Sequence, residues 1–168
     1  MSSATDYDDR TFDELGAIGL DALTIRDLRS DHAGEVGAVA IYRGILAVTK
    51  DNELRRFAGE HLGTERRHLS CFEQFLPPTE KTRLVLLRQV AGFLTGAVPA
   101  LFGARAVFVT FEAVERFVDA HYQEQVASLE GKPQLAALRN QLEAFKRDEV
   151  RHGEDAGSRY DVPVGPIG

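Results

Sequence analysis

Two short stretches, Glu65-Arg66-Arg67-His68 and Glu149-Val150-Arg151-His152, decide how the rest of the chain is read. Each has the form Glu-x-x-His. Positions three apart share one face of an α-helix, so each copy can aim a carboxylate and an imidazole at one point. A lone carboxylate precedes each copy, Glu35 before the first and Glu115 before the second.

Around the first copy the apolar positions Ala33, Val36, Val39, Ala40, Tyr42, Ile45, Leu46 and Val48 predict a helix from about Thr24 to a tight turn at Lys50. Asp51 reads as the N-cap of a second helix that carries Leu54, Phe57, Ala58, Leu62, Leu69, Phe72 and Phe75 and stops at Pro77-Pro78. Around the second copy a helix is expected from Arg105 to about Leu129. Gly131 and Pro133 mark a sharp break, and a last helix runs from Pro133 to about Ala156. No stretch alternates over enough residues to make a sheet, and there is no Gly-rich phosphate loop or dinucleotide fingerprint. The expected fold is all-α: two tight hairpins joined by one long crossover, a ferritin-like four-helix bundle. Residues 1–23 read as an N-terminal arm, 24–157 as the bundle domain and 158–168 as an irregular tail.

The spacing tests whether the six side chains can meet. Glu35 and Glu65 have their sequence midpoint at residue 50, and Glu115 and Glu149 at residue 132, where the two turns fall. Residues equidistant from the turn of an antiparallel hairpin stand at one height. Each lone Glu is therefore level with its own Glu-x-x-His, roughly 22–26 Å from its turn at 1.5 Å per residue. Four carboxylates facing one core repel each other and are costly to bury unpaired. Two metal ions would resolve that, and a hard oxygen set with one nitrogen per metal suits iron or manganese. The expected ligands are Glu35, Glu65, His68, Glu115, Glu149 and His152, the di-iron carboxylate pattern. Glu60, Glu73, Glu143 and Glu154 have no counterpart in the other half and read as surface charges, while Glu112, one turn before Glu115, is an alternative ligand or a supporting group. Asp31, Asp119 and Asp148 could each hold the outer nitrogen of a ligating histidine. Tyr122 lies seven residues after Glu115 on the same face, with His121 beside it. Gly34 and Gly37 flank Glu35, either for close helix packing or to open space near the metals.

Composition bounds the function. The chain has 168 residues, 43% hydrophobic and 27% charged, which suits one soluble domain with a sizeable core. A net charge of -6 without a basic stripe argues against nucleic acid as a partner. The single cysteine, Cys71, excludes an intramolecular disulfide framework. The acidic N-terminus reads as neither a secretory signal nor a transit peptide. Residues 89–104 carry no charge but fall short of a membrane span, and Pro99 and three glycines would interrupt a straight helix. This segment reads either as a buried connecting helix or as one that lies in a membrane interface or lines an apolar substrate entrance.

The stretch Leu28-Arg-Ser-Asp-His-Ala-Gly-Glu-Val-Gly-Ala-Val-Ala-Ile-Tyr42 resembles the opening helix of the demethoxyubiquinone hydroxylase family, and Ala113-Val-Glu-Arg-Phe-Val-Asp-Ala-His-Tyr-Gln-Glu-Gln125, the apolar segment Ala91 to Gly103 and Phe145-Lys-Arg-Asp-Glu-Val-Arg-His152 are also similar to it. The resemblance spans about residues 25–156. It implies a di-iron monooxygenase of ubiquinone biosynthesis that hydroxylates 2-polyprenyl-3-methyl-6-methoxy-1,4-benzoquinone with O₂ and electrons from NADH. It implies two Fe ions held by the six residues above, Glu65 and Glu149 reaching both. It also implies that His121 and Tyr122 handle quinone and electron transfer, that the protein associates peripherally with the cytoplasmic face of a bacterial inner membrane, and that it works as a homo-oligomer or within a ubiquinone-biosynthesis complex. Family members usually continue into a further apolar helical region, whereas sixteen Gly- and Pro-rich residues follow His152 here, the pattern of a shortened homologue. The alternatives are a ferritin-like or rubrerythrin-like iron-handling or peroxide-reducing bundle, and a metal-free structural bundle.

Overall fold

The computed structural model describes residues 20–76, 79–81 and 83–160. They form five α-helices and one short 3₁₀ turn, with no strand among the described residues: α1 Ala22–Val48, α2 Asn52–Phe75, α3 Val85–Leu101, α4 Ala104–Ser128 and α5 Ala136–Tyr160, with the 3₁₀ turn Pro133–Leu135 before α5. The all-α expectation is met. The Pro77-Pro78 stop, most of the N-terminal arm and the tail beyond Tyr160 fall outside the described residues.

Helix ends follow the local chemistry. Asp21 caps α1, its carboxylate accepting from the Thr24 N–H at 2.7 Å, and Asp51 caps α2 by accepting from the Leu54 N–H at 2.8 Å. Both satisfy first-turn donors that have no partner inside the helix. Gly131 adopts φ 75° in the turn after α4, a left-handed conformation that glycine takes without steric cost. The last helix runs on to Tyr160, beyond the stop expected near Ala156. Arg159 supports that extra turn by hydrogen bonding to Asp155 one turn back and to Glu53 of α2.

The helices α1 and α2 pair as one hairpin and α4 and α5 as the other. Two apolar clusters form the core. One, with Tyr42, Ile45, Leu54, Phe57, Phe108 and Phe111, lies toward the α1–α2 turn. The other, with Leu28, Phe72, Phe75, Leu138, Leu142 and Phe145, lies toward the α4–α5 turn. The polar residues of the Glu-x-x-His motifs fall between these two plugs, out of reach of water from either end.

The connecting helix α3 departs from its expected form. Of the three glycines in the uncharged segment, Gly92 and Gly96 lie inside the helix and face α1, while Gly103, at φ 97°, marks the break between α3 and the next helix. A side chain on Gly92 would collide with the Gly37 carbonyl, one on Gly96 with the Ile41 carbonyl, and one on Gly44 of α1 with the Phe93 carbonyl. Only hydrogen at these positions lets the two backbones approach so closely. Pro99 sits in the last turn, where α3 ends two residues later. Nor is α3 a buried connector. Gly92, Gly96, Ala97 and Ala100 are covered, while Leu86, Leu87, Leu94 and Leu101 are exposed, Leu86 by 74%. Its small residues face the protein and its large apolar ones face outward. No described helix is long and apolar enough to cross a membrane.

Candidate metal centre

The structure brings all six expected ligands together, each buried: Glu35 from α1, Glu65 and His68 from α2, Glu115 from α4, Glu149 and His152 from α5. They fall into two overlapping sets whose ligand atoms lie within 4.8 Å of one another, Glu35–Glu65–His68–Glu149 and Glu115–Glu149–His152. Glu149 belongs to both sets, with Oε1 3.1 Å from His68 Nδ1 and Oε2 3.5 Å from His152 Nδ1. Glu65 also reaches both imidazoles, at 3.0 Å to His152 Nδ1 and 3.9 Å to His68 Nδ1. Both histidines thus present Nδ1 to the carboxylates.

The carboxylates and imidazoles of this layer shift one another strongly. Burial pushes Glu35 well above the usual carboxylate range, and Glu65 and Glu149 nearby push it further. Burial likewise raises Glu115, with Glu149 and Glu65 adding to it. Burial alone would lower the two imidazoles. The surrounding carboxylates overcome it, lifting His68 to about 10 and His152 to about 9. Burial opposes ionisation of Glu149 too, but the close approach of the His152 and His68 imidazoles outweighs it and holds this carboxyl far below its ordinary value. Protons on the histidines therefore take the place that cations would fill. Even so, Glu35 Oε2, Glu65 Oε1, Glu115 Oε2 and Glu149 Oε1 are buried without a hydrogen bond of good geometry among the described residues. Buried polar atoms are normally satisfied, so four unsatisfied carboxylate oxygens converging on one layer fit a pair of metal ions.

Supporting groups surround the cluster. Asp148 Oδ2 lies 3.2 Å from His68 Nε2 and orients that ring from behind. Among the described contacts of Asp31, Asp119 and Asp148, that of Asp148 is the one that reaches a motif histidine. Asp119 instead pairs with Lys146 at the surface. Asp31 is buried and accepts from His121 Nε2 at 2.7 Å and from Gln125 Nε2 at 2.7 Å. Glu112 pairs with Arg116 and stays out of the cluster. Tyr122 donates its hydroxyl to Glu35 Oε1 at 2.8 Å, which ties it directly to the ligand layer. The hydrogen bond with Asp31 is the main reason that His121 is raised above its ordinary value, against the effect of burial.

Two residues escaped the sequence reading. His61 stacks edge-on against His152 with ring centroids 4.2 Å apart, and its Nε2 lies 2.9 Å from Asp155 Oδ2. Their signal was available in the spacing: His61 is one turn before Glu65 and Asp155 nearly one turn after His152.

A cavity of about 380 Å³ opens onto this layer. Its inner wall is formed by Glu35, Glu65, Glu115, Glu149 and Tyr122, and its sides by Gly34 and Gly37 of α1, Ala91, Gly92 and Thr95 of α3, and Val114, Val118 and His121 of α4. Side chains added at Gly34 or Gly37 would meet nothing within 4 Å, so these glycines open space beside Glu35. Gly37 also lends its carbonyl to the close contact with Gly92.

Fold and site together define an all-α bundle with a buried carboxylate–imidazole layer, the architecture that holds paired metal ions in other helical bundles. The chain belongs to the family of the ubiquinone biosynthesis protein COQ7, whose model matches residues 22–163. It is similar to the 3-demethoxyubiquinol 3-hydroxylase of Rhodospirillum rubrum, with 38% identity over 152 residues, covering 87% of this chain and 70% of that protein. It is also similar to the mitochondrial NADPH-dependent 3-demethoxyubiquinone 3-hydroxylases of Dictyostelium discoideum, at 32% identity over 84% of this chain and 66% of the relative, and of Rattus norvegicus, at 30% over 93% and 71%.

Proposed function

We propose that this chain is a 3-demethoxyubiquinol 3-hydroxylase that uses a di-iron centre to insert one oxygen atom of O₂ into the ring of a polyprenyl demethoxy-benzoquinone. The observation that carries this reading is the cavity whose inner wall is the carboxylate layer itself, so that a bound ring would lie against the ligands. The balance is one ring C–H and O₂ plus two electrons and two protons, giving one C–OH and one water. The reductant is a reduced nicotinamide. NADPH is the form in the names of the mitochondrial relatives, whereas the family resemblance implied NADH. Bound iron would supply the redox steps that activate O₂.

The chain's own residues have defined tasks in this reading. Glu65 and Glu149, each within reach of both imidazoles, would bridge or chelate two ions. Asp148 orients His68. Tyr122 fixes the rotamer of Glu35 and forms part of the cavity wall. Asp31 holds His121 at the cavity and favours its protonated form, keeping a proton beside the substrate ring. A volume of 380 Å³ accommodates a quinone head group but not a long prenyl tail. The tail would leave past Arg88 and Ala91 along the outward apolar side of α3, and that side would rest on the membrane surface.

The test is turnover. Iron-reconstituted protein is incubated with demethoxyubiquinones of several prenyl lengths, NADH or NADPH and O₂, and the quinones are analysed by mass spectrometry. A product heavier by one oxygen supports the proposal. Absence of product at every chain length, with two irons per chain verified, overturns it.

A further inference from the structure

The two halves of the ligand layer are related by an approximate internal repeat, and the repeat is broken in one place. In the first half, His68 is backed by Asp148, which immediately precedes Glu149, and its ring packs on Phe145, which is four residues before Glu149, with centroids 4.3 Å apart. The matching positions around Glu65 are Thr64 and His61. His61 does occupy the place of Phe145, 4.2 Å from the His152 ring. Thr64, however, supplies no carboxylate; its hydroxyl accepts from Arg67 at 3.0 Å. Among the described residues no carboxylate hydrogen bonds to His152 Nε2.

The missing carboxylate reappears one step further out. Asp155 Oδ2 lies 2.9 Å from His61 Nε2, its Oδ1 accepts from Arg159 Nε at 2.9 Å, and Arg159 Nη1 reaches Glu53 Oε1 at 3.1 Å. The Arg159 guanidinium also covers the Phe57 ring at 5.5 Å. Phe57 in turn meets the His61 ring edge-on at 4.5 Å. His61 is thereby clamped between a fixed carboxylate and an aromatic wall, and its own ring edge limits how His152 can turn. In the other half Phe145 packs against Phe72 and Tyr122, and Asp148 meets His68 directly.

We infer that His61, anchored by Asp155 and Arg159, is the positioning residue for His152, and that the two metal positions are consequently unequal, one supported by a direct carboxylate and the other through an imidazole wall. This inference rests on the di-iron reading of the cluster, but not on the identity of the substrate. Loss of an orienting group of this kind lowers metal affinity by about 10–100-fold. The loss should fall on the half that contains His152 and Glu115.

The experiment is a Co(II) titration of the full chain, followed by calorimetry and by visible absorption of the bound ion. Wild type is expected to bind two equivalents in two resolvable steps. Glu115→Gln marks the His152 half and Asp148→Asn the His68 half. His61→Ala should weaken only the step that Glu115→Gln weakens, by about tenfold or more, and Asp155→Asn should weaken the same step by less. His61→Phe, which copies the wall of the other half, should recover most of the loss. The inference is overturned if His61→Ala weakens both steps alike or neither, or if His61→Phe is no better than His61→Ala. If His61→Ala does not fold, a change confined to the marked step in Asp155→Asn supports the inference, and none overturns it. A wild-type protein that binds no metal would overturn the di-iron reading as well, which separates the two failures.

Discussion

Tyr122 donates its phenolic hydrogen to Glu35 Oε1 over 2.8 Å, joining α4 to α1 across the inner wall of the cavity. Both side chains are buried, so the bond is shielded from bulk solvent although it borders the cavity. Replacing Tyr122 by Phe keeps the ring in its apolar surroundings and removes only the donor. The cost is that of leaving a buried acceptor unsatisfied, about 1–3 kcal/mol, and urea unfolding of the metal-free protein should report it. Turnover should fall as well, because the Glu35 rotamer is released. Unchanged stability would mean that this hydrogen bond is not formed in solution.

The metal-free chain should lose stability as pH rises. Glu35 and Glu115 are raised above 4.5 by burial, and the carboxylates lift His68 and His152 from 6.5 to about 10 and about 9. From pH 4.5 upward these four groups therefore hold more protons in the folded chain than in the unfolded one, so their contribution to stability declines with pH. His61 and His32, lowered by burial, act the other way up to about 6.5. The contribution of His68 and His152 is complete below 6.5 and gone once pH passes about 10. Glu149 acts the other way, but only in acid, because its depressed value makes its contribution present above 4.5. Metal must displace the same protons, so apparent metal affinity should rise with pH. Thermal melts in chelator between pH 5 and 9 check the first statement; a melting temperature that climbs across that range contradicts it.

Most of this site could be read from spacing, for a physical reason. Helix periodicity and turn chemistry fix the height of each residue, and heights alone determine that Glu35 meets Glu65 and Glu115 meets Glu149. What spacing does not encode is the direction in which a polar group behind the first layer points. Asp31, Asp119 and Asp148 looked alike in sequence, yet one holds His121, one reaches Lys146 at the surface and one backs His68. The same limit hid His61 and Asp155, which lie on different helices and ninety-four residues apart. Nor did composition reveal the two-sidedness of α3. Gly92 and Gly96 look like helix breakers until the α1 carbonyls are placed against them, whereas Gly103 does end the run.

Glu65 and Glu115 should differ in what they remove. Glu65 approaches both imidazoles, whereas Glu115 groups only with Glu149 and His152. Glu65→Gln should therefore weaken both metal-binding steps by at least about tenfold, and Glu115→Gln only one. Without metal, Glu65→Gln also removes a buried partner of His152, so that variant should melt lower than wild type. Glu115→Gln instead replaces a carboxyl whose protonated form burial already favours, and should melt close to wild type. Both should gain less from added metal. Metal content by elemental analysis, with melts in chelator and in metal, separates these outcomes.

The outward side of α3 should bind lipid. Leu86, Leu87, Leu94 and Leu101 are each exposed by more than half. Leu87→Asp together with Leu94→Asp should abolish co-flotation with phospholipid vesicles, since a charge in the interface opposes the burial that drives binding. The same pair should leave the metal-binding steps intact, because neither residue touches the cavity. Equal flotation of the double variant and wild type would remove α3 from any membrane role.

Two helical glycines should respond oppositely to the same substitution. At Gly96 an added methyl would collide with the Ile41 carbonyl, and a backbone atom inside a helix cannot step aside. Gly96→Ala should push α3 off α1 and cost about 1–3 kcal/mol, as overpacking does. At Gly34 nothing lies within 4 Å of the new methyl, and alanine is the better helix former by about 1 kcal/mol. Gly34→Ala should therefore stabilise the chain. It also places a methyl inside the cavity next to Glu35, so it should raise the KM for a quinone while leaving both metal-binding steps unchanged. Denaturation midpoints of the two variants give the sign of each effect. A Gly34→Ala protein that melts lower than wild type would mean that the space beside Glu35 is filled in the folded protein, and the substrate could not then bind there.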